Sequence, residues 1–527
     1  MEFVKPTIEY GELSPLLIVF GVACLGVIVE AFVPRARRHL LQVALAGIGV
    51  IAALGATIWV GTELTESGNG RGVVGAEGSV VVDGPSVYLW GLVLVFALAG
   101  VALFADRRVE AGVSAFAGNA AALPGTDAER QSAHQGLAHT EVYPLLMFAV
   151  GGMMLFPAAG DLLTLFVALE VLSLPLYLLC GLARRRRLLS QEAAMKYFLL
   201  GAFSSGFFLY GVALIYGYAG SMDFAAIHEA VVNNSGDKPL LLIGIAMLSV
   251  GLLFKVGAVP FQSWTPDVYQ GAPTAVTAFM SAGTKIAAFG ALARLFYVAF
   301  GADRWDWQPM IWAVAILTML VGAILAVVQT DVKRMLAYSA IAHTGFLLVG
   351  ILGIQGPGEL AEGQITSLQA VLFYLTSYGF ATVGAFALVT VVRDANGEAP
   401  AFPRWAGLGK RSPLVAATFM LFLLSMAGLP LTAGFIGKWS VFTVAMAAGA
   451  WPVVLVAIAA SIIAIYFYVH YIRLMFFTEP EGDVAAVTAP APLTTATVAV
   501  CAVASVVLGV IPGPVLDLAA NAGDFIR

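Results

Sequence analysis

Four lysines lie inside apolar stretches of the chain, where a charged side chain is unfavourable. They are Lys196, Lys255, Lys285 and Lys438. On an insertion scale, a lysine at the centre of a membrane-spanning helix costs about 2.5–3.5 kcal/mol. Four such residues would cost about 10 kcal/mol if each faced lipid independently. We therefore expect all four to face the interior of a helix bundle, with partners or water.

Lysine is suited to moving protons inside a membrane, whereas arginine stays protonated in proteins. Desolvation disfavours the charged form of a buried lysine, and a neighbouring carboxylate favours it. Glu170 is the candidate partner, because it lies within the apolar run DLLTLFVALEVLSLPLYLL and could pair with Lys255 or Lys196. A lysine held between these two effects exchanges its proton when the partner moves, which predicts a proton relay. The alternative is a static ion pair that fixes helix packing, although such pairs contribute little to stability.

Two further candidates lie in the C-terminal half of the chain. His343 occupies the apolar run MLAYSAIAHTGFLLVG, next to Thr344 and close to other hydroxyl groups. Imidazole exchanges protons near neutral pH, so we expect His343 on the relay, although a lone histidine can also be a hydrogen-bonded core residue. Lys438 lies near the start of a half-helix, where the helix dipole disfavours a cation. The sequence offers no evident counter-charge for it.

The elements that position these residues are apolar helices interrupted at two places. Lys255 lies near the end of one helix, where backbone carbonyls favour a cation, and the polar stretch after it contains Pro260. The helix that follows carries Lys285. The second interruption, 428–434, comes just before Lys438. In transporters, paired interrupted helices place ion sites near the middle of the membrane.

The composition is typical of a helical membrane protein. Of 527 residues, 60% are hydrophobic and 11% are charged, whereas a soluble protein carries about 25% charged residues. Apolar runs of about 20 residues can cross a hydrocarbon core of about 30 Å as helices, whereas β-barrel strands are shorter and alternate. The net charge of −5 is spread thinly and indicates no nucleic-acid partner. Motifs for metals, haem, Fe–S clusters, flavin or nicotinamide are lacking, so we expect no catalytic, cofactor-binding or metal-binding residues in this chain.

We predict an all-α polytopic membrane fold with about fourteen transmembrane helices. The predicted spans are 14–33, 39–61, 80–104, 141–157, 161–181, 190–219, 239–258, 272–300, 309–328, 331–353, 364–393, 412–447, 451–477 and 491–512. Spans 4–8 and 9–13 form two five-helix repeats, inverted relative to each other, with broken helices at spans 7 and 12. The predicted units are three N-terminal helices with a connecting loop, two repeats, and a loop with the last helix: 1–140, 141–300, 301–478 and 479–527.

Basic residues predict the orientation of the chain. With the N-terminus outside the cytoplasm, seventeen lysines and arginines fall in inner loops and five in outer segments. Positively charged loops stay on the cytoplasmic side of a membrane, so we expect both termini outside the cytoplasm of a bacterial-type inner membrane. Arg294 lies within a span but near its end, and we expect its side chain to reach the membrane surface.

The stretch FKVGAVPFQSWTPDVYQGAPTAVTAFMSAGTK resembles the signature of the antiporter-like membrane subunits of respiratory complex I, and of related cation/proton antiporter subunits. The resemblance extends over spans 4–13, through EAAMKYFLLGAFSSGFFLYG, DVKRMLAYSAIAHTGFLLVG and SMAGLPLTAGFIGKW. The form WTPDVY, a lysine rather than glutamate at position 438, and a single following span resemble one branch of the complex I subunits. One departure is Gln262, where many relatives carry histidine, so we assign no proton-carrying role to this position.

The resemblance implies a role for each candidate. Glu170 and Lys255 would form the charge pair of the first half, and Lys196 matches the lysine on the sixth helix of the family. Lys285 would connect the halves, with His343 on the path between them.

Lys438 would be the terminal lysine of the second half. Members of this family pump protons across the lipid bilayer. Other membrane and peripheral subunits carry out NADH oxidation and quinone reduction, with FMN and Fe–S clusters.

Three hypotheses follow for the function. The first is a proton-translocating subunit of an NADH-quinone oxidoreductase with no redox centre of its own. The second is a subunit of a stand-alone cation/proton antiporter, which would favour more carboxylates at the ion site than Glu170 alone. The third is a structural spacer between other subunits, against which the intramembrane lysines argue, because apolar residues would pack at lower cost.

Overall fold

The computed structural model describes residues 8–66, 72–110, 112–119, 122, 126–128, 131, 139–234, 236–354, 364–394, 397–480 and 484–526. Over these ranges the chain is mostly helical. In chain order the α-helices are α1 (Ser14–Phe32), α2 (Arg35–Glu66), α3 (Gly84–Ala105), α4 (Val142–Ala158), α5 (Leu162–Cys180), α6 (Arg187–Ala219), α7 (Phe224–Val232), α8 (Lys238–Val256), α9 (Trp264–Gly271), α10 (Thr274–Arg294), α11 (Arg304–Val327), α12 (Val332–Ile351), α13 (Ser367–Val391), α14 (Leu408–Arg411), α15 (Pro413–Ala427), α16 (Ala433–Ala447), α17 (Trp451–Phe477), α18 (Pro492–Val510) and α19 (Gly513–Asn521).

The helix lengths agree with the predicted membrane fold. In the described part of the chain, 12 helices are long and apolar enough to cross a membrane. Three shorter apolar helices, α4, α15 and α16, come in addition. Since α15 and α16 together replace the predicted twelfth span, the arrangement is consistent with about fourteen crossings. The chain is a multi-pass helical membrane protein.

Both predicted interruptions are present, and a glycine produces each of them. Gly257 ends α8 with φ of 74°, and Gly428 ends α15 with φ of 81°. In each case the glycine N–H donates to carbonyls of the preceding turn, which is a common way to end a helix because glycine adopts positive φ without steric strain. The chain then runs without helix to Trp264 and Ala433, where α9 and α16 begin.

Three helices, α10, α12 and α13, lie at the centre of the bundle. Lys285 is on α10 and His343 is on α12. Every residue of α10 is buried, because the helix packs against α3, α4 and α13. Peripheral helices instead expose large apolar side chains, such as Leu40, Phe203 and Ile462. An apolar outer surface around a polar-containing centre is the arrangement expected for a protein in lipid.

Several of the loops contain short β-strands. β1 (Val73–Gly75) pairs with β2 (Val80–Val82). β3 (Val392–Asp394) and β4 (Gly397–Glu398) lie between α13 and α14, and β5 (Ala486–Val487) lies between α17 and α18. β3 pairs antiparallel with both β4 and β5. This hairpin places Glu398 beside the first residue of α10, Thr274, whose hydroxyl is hydrogen-bonded to the Glu398 carboxylate.

The structure corrects the prediction for Arg294. Its side chain does not reach the membrane surface but is 1% exposed and forms an ion pair of 2.7 Å with Asp83 on the N-terminal side of α3. The guanidinium also donates to the carbonyl of Pro157 and the hydroxyl of Ser86. The sequence position near a helix end did not reveal this, because Asp83 lies 211 residues away along the chain.

Candidate proton-transfer site

Lys255 lies in the last turn of α8 and is 2% exposed. Its Nζ donates to Ser173 Oγ on α5 at 2.6 Å. The ammonium also lies 5.7 and 5.4 Å from the ring centroids of Tyr177 and Tyr197, close enough for a favourable cation–π interaction. The carbonyl end of α8, the Ser173 hydroxyl and the two aromatic rings together stabilise the charge of Lys255 in the apolar interior.

Glu170 lies one turn before Ser173 on the same helix. Its Oε1 is buried and has no hydrogen-bond partner among the described residues. The predicted pair of Glu170 and Lys255 is therefore not a direct contact among the described residues. Ser173 bonds to Lys255 and also donates to the carbonyl of Leu169. The sequence interpretation missed Ser173, and its spacing of three residues from Glu170 was the signal that could have found it.

Lys196 departs from its prediction in both burial and partner. Its side chain is 42% exposed rather than enclosed in the bundle, and its Nζ lies 2.7 Å from Asp267 and 2.6 Å from Glu192. Asp267, on α9, also accepts from Arg334 of α12 at 2.8 Å. Because Lys196 is half-exposed and pairs with Asp267 and Glu192, it does not form the predicted pair with Glu170.

Asp267 thus joins α6, α9 and α12 through two cations. Burial would raise the pKa of Asp267, but hydrogen bonds from Lys196 and Arg334 outweigh burial and hold that pKa below its ordinary value. The carboxylate is therefore ionised at neutral pH. It belongs to the WTPDVY stretch, so the sequence marked its position but not its partners.

Lys285 occupies the centre of the site and is 2% exposed. Its Nζ donates to the carbonyl of Val256 at 3.1 Å, to the carbonyl of Ala340 at 2.8 Å, and to Thr344 Oγ1. Val256 is the last residue of α8 and follows Lys255. The middle lysine therefore contacts both the end of the first broken helix and α12.

His343 lies on α12 beside Thr344 and is 4% exposed. Its Nδ1 is hydrogen-bonded to the hydroxyl of Tyr374 at 2.6 Å, and its Nε2 lies 3.4 Å from the hydroxyl of Tyr468. Ser339 is in turn hydrogen-bonded to Tyr468. The sequence could not indicate the two tyrosines, because they come from α13 and α17 and are separated from His343 by 31 and 125 residues.

Lys438 is 5% exposed, and its side chain crosses the second interruption. Its Nζ donates to the carbonyl of Ala427, the last residue of α15, at 2.9 Å and lies 4.7 Å from the ring centroid of Phe346. The carbonyl end of a helix favours a cation. The position of Lys438 near the start of α16 therefore does not disfavour its charge, because the charged atom lies at the end of α15.

A small cavity separates His343 from the second interruption. Among the residues that line it are His343, Tyr374 and Tyr378 on one side and Ser425 and Gly434 on the other. The cavity thus lies between His343 and the α15–α16 break that Lys438 spans. Its volume of about 10 Å³ is close to that of a single water site, and the surface that faces it is mostly apolar.

Lys333 is one of the seventeen basic residues expected in inner loops, yet it lies in the first turn of α12 and is 3% exposed. Its Nζ donates to the carbonyl of Ala272 at 2.9 Å. Position along the chain suggested a surface location, but the β3–β4 hairpin covers the residue. Lys333 is therefore a further buried lysine, which the sequence interpretation missed.

The sequence profile of the family described as "NADH:quinone oxidoreductase/Mrp antiporter, TM" matches residues 159–464. This range contains both interruptions and all six predicted site residues. The class is therefore that of antiporter-like membrane proteins.

Individual relatives narrow the class. NADH-quinone oxidoreductase subunit N of Nocardioides sp. is 71% identical over 100% of both chains. A chain of respiratory complex I from Thermus thermophilus with bound aureothin is 32% identical, with a TM-score of 0.75 over 96% of this chain and 99% of that chain. A chain of the Mrp complex from Dietzia sp. has a TM-score of 0.78 over 97% of this chain and 96% of that chain, but at 24% identity this similarity shows the fold alone.

The chain belongs to the antiporter-like membrane subunits of this family and, within them, to the NADH-quinone oxidoreductase subunit N family. This agrees with the branch that WTPDVY and Lys438 predicted.

Proposed function

We propose that this chain translocates protons through a buried relay of Glu170, Lys255, Lys285, His343 and Lys438, with Lys196 at its periphery. It does so as a subunit of an NADH-quinone oxidoreductase. The observation that carries the proposal is the set of bonds made by Lys285. One of its acceptors follows Lys255 in sequence and another follows His343, so one side chain connects the two parts of the site.

The geometry supports an ordered sequence of proton carriers. Lys255 lies in the last turn of α8, and the carbonyl of the next residue, Val256, accepts from Lys285. Thr344 then connects Lys285 to the turn of α12 that carries His343. Beyond His343, the cavity and the ring of Phe346 lead to Lys438.

Each lysine can bind a proton as ammonium and release it as amine, while hydroxyls of Ser173, Thr344 and the tyrosines hydrogen-bond to the carriers. Moving a charge next to one lysine changes its proton occupancy, because the charged form depends on a few partners in a region without bulk water. Glu170, whose Oε1 has no hydrogen-bond partner in the described structure, is free to serve as that moving charge for Lys255. Proton occupancy can thus pass along the site without a redox centre in this chain.

The remaining parts of the proposal come from the family. NADH oxidation and quinone reduction, with FMN and Fe–S clusters, take place in partner subunits of the complex, and this chain acts as part of their translocase. It lies in a bacterial inner membrane with both termini outside the cytoplasm, which the distribution of basic loops supports. The chain divides into the units 1–140, 141–300, 301–478 and 479–527, with 141–300 and 301–478 as inverted repeats.

A stand-alone antiporter is the second candidate and receives less support. The fold is shared with a chain of an Mrp complex, but the 71% identical relative is an NADH-quinone oxidoreductase subunit. Among the described residues, the buried lysines of the relay bond to carbonyls and hydroxyls rather than to a cluster of carboxylates. That donor set suits protons better than a metal cation, which prefers several oxygen ligands of its own.

The test replaces Lys285 by methionine, which keeps the length and apolar stem of the side chain. We expect the complex to assemble, and NADH-driven proton uptake into inverted membrane vesicles to fall at least tenfold. Lys410→Met, at an exposed position of the short helix α14, is the matched control and should pump normally. Full pumping by Lys285→Met would favour the structural spacer instead.

A further inference from the structure

One end of the bundle carries the loop 181–186 and the β3–β4 hairpin, and we call this end the loop face. A polar pocket opens there, above the start of α10. Water molecules can occupy about 50 Å³ of it, and one water needs at least about 10–15 Å³ of such space, so the pocket has room for a few waters. The charged and hydroxyl groups in its lining are Glu110, Arg185, Arg186, Thr274, Lys333 and Glu398. None of these residues belongs to the relay described above.

Three contacts close the floor of this pocket. Lys333 Nζ donates to the carbonyl of Ala272 at 2.9 Å and lies 3.7 Å from Glu398 Oε2. The same carboxylate oxygen accepts from the hydroxyl of Thr274. The Glu398 side chain is 25% exposed and Lys333 4%. Glu398 therefore lies between the water of the pocket and the first residue of α10.

Ion pairs hold the β3–β4 hairpin in this position. Arg393 pairs with Glu110, which also lies 3.0 Å from Arg185. Arg186 donates to the backbone carbonyl of Glu398 at 3.1 Å. The backbone of Glu398 is thus fixed, while its carboxylate contacts only Lys333 and Thr274 among the described residues.

A row of hydroxyls leads inward from the floor along α10. Thr277 and Ser281 follow Thr274 at spacings of three and four residues, and Lys285 follows four residues later, so all four lie on one face of the helix. The three hydroxyl residues are buried. The distance from Thr274 to Lys285 along the axis is about 16 Å, which a few hydroxyls and waters can span.

Helix α13 adds polar groups opposite this row. It runs antiparallel to α10, because Glu398 beyond its end contacts Thr274 while Ser367 at its start contacts Tyr297, just beyond α10, at 2.5 Å. The ring of Tyr378 lies 5.7 Å from Lys285 Nζ, and Thr382 lies one turn nearer the pocket.

The hydroxyls of Tyr378 and Thr382 are buried and lie close enough to interact with each other. Neither has a well-formed hydrogen bond to another described residue. An ordered water can therefore bridge these two hydroxyls. They lie between Lys285 and the level of the pocket floor, where a proton route needs such water.

We propose that this pocket is the site at which protons from the loop face gain access to Lys285, and that Glu398 carries them across the pocket floor. A hydronium ion in the pocket transfers its proton to Glu398 Oε2, forming an O–H bond and leaving water. The carboxylic acid then releases this proton through the hydroxyl row and becomes carboxylate again. The amine of Lys285 binds the proton as ammonium.

This inference rests on the proposed function and makes it more specific, because protons reach the middle lysine without first passing Lys255. The pocket lies against α10 and α12, whereas Lys255 is held between α8 and α5. Lys333 has a supporting role. Its Nζ lies 3.7 Å from Glu398 Oε2 and holds the carboxylate at the pocket floor.

The test is Glu398→Gln in the assembled complex, in inverted vesicles whose loop face is exposed to the medium. We expect the initial rate of NADH-driven proton uptake to fall at least fivefold, because the amide cannot carry a proton. Glu398→Asp should recover most of the rate, and Thr274→Val should reduce it severalfold. Glu479→Gln, at an exposed carboxylate of a loop on the same face, should pump like the wild type.

The outcomes separate this inference from the proposed function. If Glu398→Gln pumps normally while Lys285→Met does not, the access route is wrong and the relay stands. Normal pumping by both variants contradicts the proposed function itself. If Glu398→Asp is as impaired as Glu398→Gln and Thr274→Val pumps normally, Glu398 has only a structural role, which also overturns the inference.

Discussion

Thr344→Val removes one contact of the central lysine without changing the shape of the core. Valine has nearly the volume of threonine but lacks the hydroxyl that accepts from Lys285 and donates to the carbonyl of Val256 at 2.8 Å. Since α12 is buried at this position, the substitution leaves no large cavity. The effect therefore comes from the lost hydrogen bonds rather than from packing.

The magnitude follows from the three bonds of Lys285. A hydrogen bond to a charged group contributes about 1.5–3 kcal/mol, and two carbonyl acceptors remain in the variant. Each 1.4 kcal/mol changes an equilibrium by about tenfold. The protonated form of Lys285 should thus become at least about tenfold less favourable relative to its amine, with a similar loss of pumping rate.

The assay is the initial rate of NADH-driven proton uptake by inverted vesicles that contain equal amounts of assembled complex. Thr344→Ser keeps the hydroxyl and should pump at close to the wild-type rate. Thr443→Val is the control, because its exposed hydroxyl bonds only within its own helix, to the carbonyl of Trp439. Wild-type pumping by Thr344→Val would refute the role assigned to the hydroxyl, and equal loss in Thr344→Ser would refute the hydrogen-bond explanation.

Two further predictions concern the ion pairs that hold the helices together. Asp267→Asn weakens the contacts to Lys196 and Arg334, and because these charges are partly exposed we expect a loss of about 1 kcal/mol. A slightly lower temperature of inactivation should show it, and an unchanged temperature would contradict it. Arg294→Met leaves Asp83 buried without its partner, which costs about 3–5 kcal/mol. The amount of assembled complex in the membrane should fall severalfold, and normal assembly would show that the pair is dispensable.

The buried lysines of the proposed relay could be predicted from sequence because a charged side chain conflicts with apolar surroundings. A charged residue in an apolar helix needs an explanation wherever it occurs, and Lys255, Lys285 and Lys438 are all buried as expected. The helix interruptions were also predictable, since glycine and proline mark them directly. The same reasoning was wrong for Lys196, because its ion pair with Asp267 and its partial exposure reduce the free-energy cost of the charge.

The contacts between helices could not be predicted in this way. The hydroxyls around His343 come from residues far along the chain, and hydroxyl residues are too common in apolar helices to stand out. The burial of Lys333 depends on a two-stranded hairpin whose strands are too short to have a pattern. The acceptor of Lys438 is a backbone carbonyl, which no side-chain motif can indicate.

The most direct test of the central claim is the number of protons translocated per NADH oxidised in the Lys285→Met complex. Vesicles with equal amounts of wild-type or variant complex would be compared for proton uptake and NADH oxidation in the same sample. The relay predicts that the variant translocates fewer protons per NADH, or stops NADH oxidation together with pumping. An unchanged ratio at an unchanged rate would contradict the claim that protons pass through Lys285.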